Sequence, residues 1–260
     1  MKLAVSTLGM PGEGLDRAIE VATEHGCQGL ELRLHPDTGV HRDLDPDERR
    51  SVRARVEDAG LEIAALAGYT RVCEPGPDGP VVGQLLGDLE LAADLGAPGV
   101  RVFPRGEDAT VGARRLKAVS GTAGDLGLKV LVETHDLMPT GAAVAGLLDE
   151  AACPGTTGAL WDLLHPWRNG ESPADTFAAL GSWLAYVQVK DAVSAEDKTP
   201  VPMGAGSVPL DECGELLGEA GYDGWVSLEW ERTWYPDVAP VEEILPGAAT
   251  WVRRFGKAAR

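Results

Sequence analysis

The sequence is short of positive charge and contains no long apolar run. Its 260 residues include 23 Lys or Arg against 41 Asp or Glu, which gives a formal net charge of −18. A surface this acidic repels phosphate groups, so nucleic acids and anionic membranes are poor partners. No stretch approaches the roughly 20 apolar residues of a membrane-spanning helix, and no basic and apolar leader opens the chain. We therefore expect a cytoplasmic protein that binds neither nucleic acid nor membrane.

Cysteines are also few, and they are scattered along the chain. They form no Cys-x-x-Cys pair and have no histidine at zinc-finger spacing: Cys27, Cys73, Cys153 and Cys213. This pattern indicates reduced thiols rather than a disulfide framework. The glycine signature Gly-x-Gly-x-x-Gly is missing after the first predicted strand, which disfavours an open dinucleotide-binding sheet.

Apolar strand-like and amphipathic helix-like stretches alternate along the whole chain, and several predicted helices stop at a glycine. Eight strands alternate with eight helices, and the strands are rich in Val, Leu and Ala, as parallel strands covered on both faces tend to be. The predicted strands are 2–7, 29–34, 62–67, 99–103, 129–134, 158–164, 186–190 and 225–230. We predict an α/β protein with a single domain over residues 1–260, a (β/α)₈ barrel, with an open doubly wound sheet as the alternative.

The last four predicted strands each place a polar side chain inside an apolar run. These side chains belong to Glu133, Asp162, Gln188 and Glu229. Burying a carboxylate costs several kcal/mol unless a cation or a dense set of donors compensates it. Each residue taken alone could be a helix cap or an ion-pair partner, but four on consecutive strands indicate one shared site at the C-terminal mouth of the barrel.

Further polar residues fall just beyond these positions. Side chains alternate along a strand, so His135, Lys190 and Glu231 should lie higher at the mouth than the residues two positions before them. His165 is three residues after Asp162 and should belong to the turn above it. Lys190 could instead form a salt bridge with Asp191 or Glu231.

Two arginines end predicted strands nearer the N-terminus. Arg33 lies at the end of the second strand and Arg105 at the end of the fourth. A guanidinium binds carboxylate or phosphate in a bidentate manner, so both are candidates for substrate binding. They could equally be ordinary surface residues.

Four motifs give the chain a family resemblance. It reads Val-Glu-Thr-His at 132–135, Trp-Asp-x-x-His at 161–165 followed by Asn-Gly-Glu-Ser-Pro at 169–173, Val-Lys-Asp at 189–191, and Leu-Glu-Trp-Glu at 228–231. In strand order these resemble the xylose-isomerase-like barrel superfamily, the sugar phosphate isomerases and epimerases. The resemblance implies one divalent metal ion with four ligands: Glu133, Asp162, Gln188 and Glu229.

Gln188 departs from the family pattern, in which a histidine precedes the Val-Lys-Asp. An amide oxygen can replace a neutral imidazole as a ligand without adding charge. The shell is then all oxygen, which favours Mn²⁺ or Mg²⁺, with Co²⁺ or Zn²⁺ as alternatives. Glutamine at this position also resembles the 3-dehydroshikimate dehydratase branch of the superfamily.

The resemblance implies an isomerase or epimerase that moves a proton next to a carbonyl through an enediolate. Glu133 and Glu229 would exchange protons with the substrate, and His165 and Lys190 would orient its oxygens. The substrate would be a small polyhydroxylated carbonyl compound, a sugar or sugar phosphate. Its binding residues would be His135, Arg33, Arg105 and Glu231.

Two other functions stay open from the sequence. A metal-dependent dehydratase of the 3-dehydroshikimate or inosose type would use His165 or Lys190 to drive elimination. Alternatively, the barrel could be a non-catalytic subunit of a larger complex, with Trp230, Trp234 and Tyr235 at an interface. The acidic charge and the five histidines disfavour the endonuclease branch, and homo-oligomerisation is left open.

Overall fold

The computed structural model describes residues 1–256 and shows a closed parallel barrel. Eight strands pair in the order β1-β10-β7-β6-β5-β4-β3-β2, and a two-stranded antiparallel hairpin, β8–β9, follows β7. The strands are β1 (Lys2–Ser6), β2 (Gly29–Arg33), β3 (Glu62–Arg71), β4 (Gly99–Phe103), β5 (Lys129–Glu133), β6 (Thr157–Asp162), β7 (Leu184–Val189), β8 (Asp191–Ala192), β9 (Pro200–Val201) and β10 (Trp225–Leu228). The predicted (β/α)₈ barrel is confirmed.

Helices surround the barrel and connect its strands. They are α1 (Gly14–Glu24), α2 (Pro46–Asp58), α3 (Asp78–Leu95), α4 (Ala109–Leu126), α5 (Gly141–Ala151), α6 (Leu164–Arg168), α7 (Pro173–Leu180), α8 (Leu210–Glu219) and α9 (Val241–Phe255). Among residues 1–256, none is long and apolar enough to cross a membrane. The short α6 occupies the place where the sequence predicted a turn. Helix α7 ends at Leu180, because Gly181 follows it with a φ of 46°.

Small residues allow the strands to approach one another closely at the lower end of the barrel. A methyl group added at Gly29 would lie 2.6 Å from the carbonyl oxygen of Glu62, and one at Gly99 would lie 2.7 Å from that of Lys129. A compact apolar cluster fills the interior there: Ala4, Ala64, Ala65, Leu131, Leu160 and Tyr186. The polar interior residues lie beyond this layer, towards the C-terminal ends of the strands.

The loop after β7 is built around one buried carboxylate. Asp191 accepts hydrogen bonds from the backbone N–H groups of Gly204, Gly206 and Val208, at 2.8, 3.0 and 3.2 Å. These bonds satisfy an acidic side chain that is only 2% exposed. The Gly-Ala-Gly segment is therefore fixed against the barrel by the residue next to Lys190.

Candidate active site

Glu133 ends β5 inside the barrel and forms a buried ion pair with a residue of the preceding strand. Its Oε2 accepts a hydrogen bond of 2.6 Å from Arg101 Nη1, and both side chains are at most 5% exposed. The guanidinium also lies over the ring of Phe103, at 4.1 Å from its centroid. Arg101 is a charged residue in the middle of the apolar strand Gly-Val-Arg-Val-Phe. The same pattern, a charged side chain within an apolar strand, indicated Glu133 and could also have indicated Arg101.

Lys190, immediately after β7, forms ion pairs with three carboxylates. Its Nζ lies 2.8 Å from Asp162 Oδ2 and 2.7 Å from Glu231 Oε1, and it forms an ion pair with Glu229. Burial opposes the charge of Lys190, but the surrounding carboxylates raise its pKa well above the usual value. The salt bridge that the sequence left as an alternative for Lys190 is therefore present.

Two of these carboxylates, Asp162 and Glu229, differ in how readily they ionise. Asp162 Oδ1 accepts a hydrogen bond of 2.9 Å from the backbone N–H of Leu164, at the start of α6. Burial raises the pKa of Asp162 to about 7. Burial also acts to raise the pKa of Glu229, but the charges of Lys190 and Arg101 outweigh it and lower that pKa. At neutral pH Glu229 is therefore the more strongly ionised of the two.

Gln188 lies on β7 between two acidic residues. Its Nε2 is 3.1 Å from both carboxylate oxygens of Glu31 and 3.1 Å from Glu229 Oε1. Its Oε1 is buried and has no hydrogen-bond partner within the described part of the chain. An unpaired buried amide oxygen is costly, and a cation is one of the groups that can satisfy it.

Glu31, which sequence reasoning missed, lies on β2 and is fully buried. Burial and the charge of Glu229 raise its pKa to about 7. The signal was present in the sequence, because Gly-Leu-Glu-Leu-Arg also carries a carboxylate within a short apolar strand. Glu31 lies in the first half of the chain, outside the four motifs.

Two histidines lie together at the mouth. The rings of His135 and His165 meet edge to face, with centroids 4.3 Å apart. Burial lowers the pKa of His165 well below its usual value, and nearby His135 and Lys190 lower it further. Burial also acts against a charge on His135, but Glu133 and Asp136 outweigh it and raise that pKa. His165 is therefore neutral at pH 7 and can accept a proton or bind a cation.

A second set of potential ligands appears at this level. One ligand atom from each of Glu133, His135 and His165 lies within 4.8 Å of the others. His165 Nε2 is buried and makes no hydrogen bond among residues 1–256, whereas His135 Nδ1 lies 3.2 Å from Asp136 Oδ1. Glu133 thus belongs both to this set and to the set predicted from the motifs.

A cavity of about 250 Å³ opens above these residues. Its lining comprises Leu8, Tyr69, Arg101, Phe103, Glu133, His135, His165, Lys190, Lys198, Glu229, Glu231 and Trp234. All six predicted catalytic and substrate-binding residues from β5 onwards are therefore brought together. Asp162 and Gln188 are fully buried and lie outside the lining.

The two predicted arginines are placed outside this cavity. Arg33 is buried, and its guanidinium donates to Tyr69 and Asp37. Arg105 is half exposed, reaches Asp136 at 3.4 Å, and lines a separate cavity of about 330 Å³. The structure does not bring either guanidinium to the lining of the cavity that contains Glu133.

The composition of the site suits a divalent cation. Its carboxylates outnumber its permanent cations, Arg101, Lys190 and Lys198, by five to three: Glu31, Glu133, Asp162, Glu229 and Glu231. Unpaired negative charge in a buried site is costly without a counter-ion. The unsatisfied Oε1 of Gln188 and Nε2 of His165 are also ligand atoms. A divalent metal ion thus fits the donors and the charge of this site.

A closed (β/α)₈ barrel with ionisable side chains at its C-terminal mouth is the usual architecture of a barrel enzyme. The sequence model of the xylose isomerase-like TIM barrel matches residues 19–255, and the chain belongs to that family. The resemblance stated from the motifs is confirmed.

Relatives and solved structures agree with this assignment. A putative hydroxypyruvate isomerase from Streptomyces coelicolor is 26% identical over 246 residues, which cover 83% of each chain. A probable 3-DHS dehydratase involved in petrobactin synthesis, from Bacillus anthracis, superposes with a TM-score of 0.79 at 21% identity over 99% of this chain and 100% of that one. The IOLI protein with a bound zinc atom gives 0.80 at 19% identity, over 98% of both chains.

Proposed function

We propose that this protein is a divalent-metal-dependent isomerase or epimerase of a small polyhydroxylated carbonyl compound. It would move a proton on the carbon next to the carbonyl, through an enediolate. The observation that carries this proposal is the excess of buried carboxylates beside one small cavity, together with unsatisfied ligand atoms. The similarity to a putative hydroxypyruvate isomerase supports the reaction class.

The residues proposed to hold the metal are Glu133, Asp162, Gln188 and Glu229. The unpaired Oε1 of Gln188 supports this set, and Glu31 would keep that oxygen available by accepting from the amide nitrogen. When bound, the ion supplies electrophilic stabilisation of developing negative charge on oxygen. Lys190 already pairs with Asp162 and Glu229, so it competes for their oxygens.

The side chains lining the cavity provide the proton-transfer groups. Glu229 has a lowered pKa and is ionised at neutral pH, as a base must be. Glu133 is the second carboxylate of the lining and is held by Arg101. We assign the proton exchange to these two glutamates, and the orientation of substrate oxygens to Lys190, His165, His135 and Glu231. Leu8, Phe103 and Trp234 contribute apolar surface to the lining.

A dehydratase is the second candidate, and one observation favours it. His165 lines the cavity in its neutral form, with an unpaired Nε2 that can take a proton. In that reaction neutral His165 would remove the proton, and protonated Lys190 would give a proton to a neighbouring hydroxyl, which would leave as water. The B. anthracis dehydratase shares the fold, which makes this chemistry compatible with the scaffold.

Incubation with Mn²⁺ and substrate candidates in D₂O separates the two reactions. An isomerase or epimerase incorporates deuterium next to the carbonyl and retains every hydroxyl. A dehydratase releases water and gives a conjugated product that absorbs in the ultraviolet. Hydroxypyruvate, ketoses, inososes and dehydroshikimate form the panel, with the Glu133→Gln variant as the inactive control. If Mn²⁺ binds but no substrate exchanges or eliminates, catalysis as proposed here is wrong.

The ligand set is tested separately by titrating Mn²⁺ and following the free ion by electron paramagnetic resonance. Glu133→Gln should weaken binding for either set of ligands. Asp162→Asn should weaken it only for the proposed set, and His135→Ala only for the set of Glu133, His135 and His165. Arg105→Gln, which alters a residue outside the cavity, should leave the affinity unchanged. Loss of binding in His135→Ala with wild-type binding in Asp162→Asn would overturn the proposed ligands.

A further inference from the structure

We propose that the substrate carries an anionic oxygen group, which Lys198 binds at the rim of the cavity. This inference deepens the proposed function and rests on it, because it concerns what the same cavity accepts. Lys198 was not selected from the sequence, where it is one of several polar residues in the long loop after β7. It is one of the residues lining the cavity with Glu133, His165 and Lys190.

Lys198 lies near the tip of a well-ordered hairpin. The hairpin begins with the β8–β9 pairing of Asp191 with Val201. It continues with backbone hydrogen bonds from Val193 to Thr199, at 3.2 Å, and from Ser194 to Asp197, at 3.0 Å. Such a closed ladder limits where the lysine can lie.

Side chains reinforce the tip of the hairpin. Asp197 Oδ1 accepts from both the backbone N–H and the hydroxyl of Thr199, at 3.0 and 2.7 Å. Arg168, at the end of α6, donates from Nε to the carbonyl of Ala195 at 3.2 Å. The hairpin is therefore attached both to its own strand ends and to the helix that carries His165.

Two cations of this hairpin region have no carboxylate partner among residues 1–256. Of the arginines within residues 1–256, Arg168 and Arg253 are the two without a carboxylate at ion-pair distance. Lys198 also has no carboxylate partner in that range, whereas Lys190 has three. With a formal net charge of −18, carboxylates are abundant, so an unpaired lysine at a cavity is a candidate for binding a ligand.

The other cations of the cavity already form ion pairs with carboxylates of the protein. Arg101 is bound to Glu133, and Lys190 is surrounded by carboxylates. A neutral polyol needs no further cation, because the acidic side chains can accept from its hydroxyls. An anionic substrate is stabilised by a further cation, since the glutamates of the lining repel its charge. Lys198 supplies that charge at the rim, away from the buried carboxylates.

The test compares three ligands with the same three-carbon skeleton: glycerate, glycerol 3-phosphate and glycerol. Binding to the Mn²⁺-loaded protein is measured by calorimetry in wild type, Lys198→Met, Lys198→Arg and Lys117→Met. Lys117 is an exposed lysine of α4 without an ion pair, so it is the matched control. Wild type should bind one anion more tightly than glycerol, and the preferred anion identifies the group as carboxylate or phosphate.

Lys198→Met should weaken binding of the preferred anion about 10-fold or more, the range of a hydrogen bond to a charged group. Binding of glycerol should not change, Lys198→Arg should restore the anion preference, and Lys117→Met should behave as wild type. Equal anion affinity in Lys198→Met and wild type would overturn the inference. Because the readout is binding, a failure to exchange deuterium would refute the proposed catalysis without deciding this question.

Discussion

Replacing Glu31 by glutamine should stabilise the metal-free protein at alkaline pH. The carboxyl group is fully buried, and its pKa is raised from 4.5 to about 7. Each tenfold change in an ionisation constant corresponds to about 1.4 kcal/mol, so keeping Glu31 ionised costs the folded state about 3 kcal/mol above pH 7. The penalty is absent below pH 4.5, where the carboxyl is protonated in both states, and it grows as pH rises to 7.

Glu31→Gln removes this penalty, because the amide has no proton to lose. The free energy of unfolding should therefore rise by up to about 3 kcal/mol relative to wild type at pH 8 and be close to wild type at pH 4.5. Urea unfolding in the presence of a chelator measures it at both pH values. Glu62→Gln is the control, since Glu62 is an exposed residue paired with Lys2.

The same variant should bind Mn²⁺ less tightly. Without a charged acceptor, the amide of Gln188 is no longer held with its oxygen free, and loss of such a supporting partner costs about 10- to 100-fold in metal affinity. Substitution of a residue needed only for folding would lower the stability of the metal-free protein. Glu31→Gln should instead raise that stability and lower the Mn²⁺ affinity together. A stability difference that is the same at pH 4.5 and pH 8 would refute the reasoning.

Three further predictions concern the site and its scaffold. Gln188→His should raise the Zn²⁺ to Mn²⁺ affinity ratio, because imidazole is the softer ligand; an unchanged ratio in calorimetric titrations would show that Gln188 is not a ligand. Gly99→Ala should cost about 1–3 kcal/mol in urea unfolding through the close contact with the Lys129 carbonyl, whereas Gly121→Ala, which meets no atom within 4 Å, should not destabilise the protein. Asp191→Ala should increase amide hydrogen exchange at Gly204 and Gly206, while the exchange of α4 remains that of wild type.

The fold was predictable because its signal repeats along the chain. Parallel strands covered by helices must be apolar on both faces and must be joined by crossovers. The alternation of strands and helices is therefore visible in each segment of the sequence. Two helix boundaries did not follow from this pattern, because individual residues decided where the helix begins or ends. Gly181 ends α7, and the Asp162 carboxylate accepts from the backbone N–H of Leu164 at the start of the helix that contains His165.

The candidate site was predictable in membership but less so in its contacts. Carboxylates at the ends of apolar strands indicate a buried polar site whatever the partner, which is how Glu133 and Glu229 were found. Ion-pair and hydrogen-bond partners come from strands far away in sequence, and no local pattern assigns them. Arg101 is 32 residues from Glu133, and Gln188 is 157 residues from Glu31.

The sequence by itself determined the closed barrel, the family and the group of polar residues at the mouth. Only the tertiary structure decided that Lys190 lies among three carboxylates, that Arg33 and Arg105 lie outside the cavity, and that Lys198 lies at its rim. The physical reason is that a strand's pattern fixes which faces are buried. The direction and partners of each long side chain depend on strand register and on loops packed from other parts of the chain.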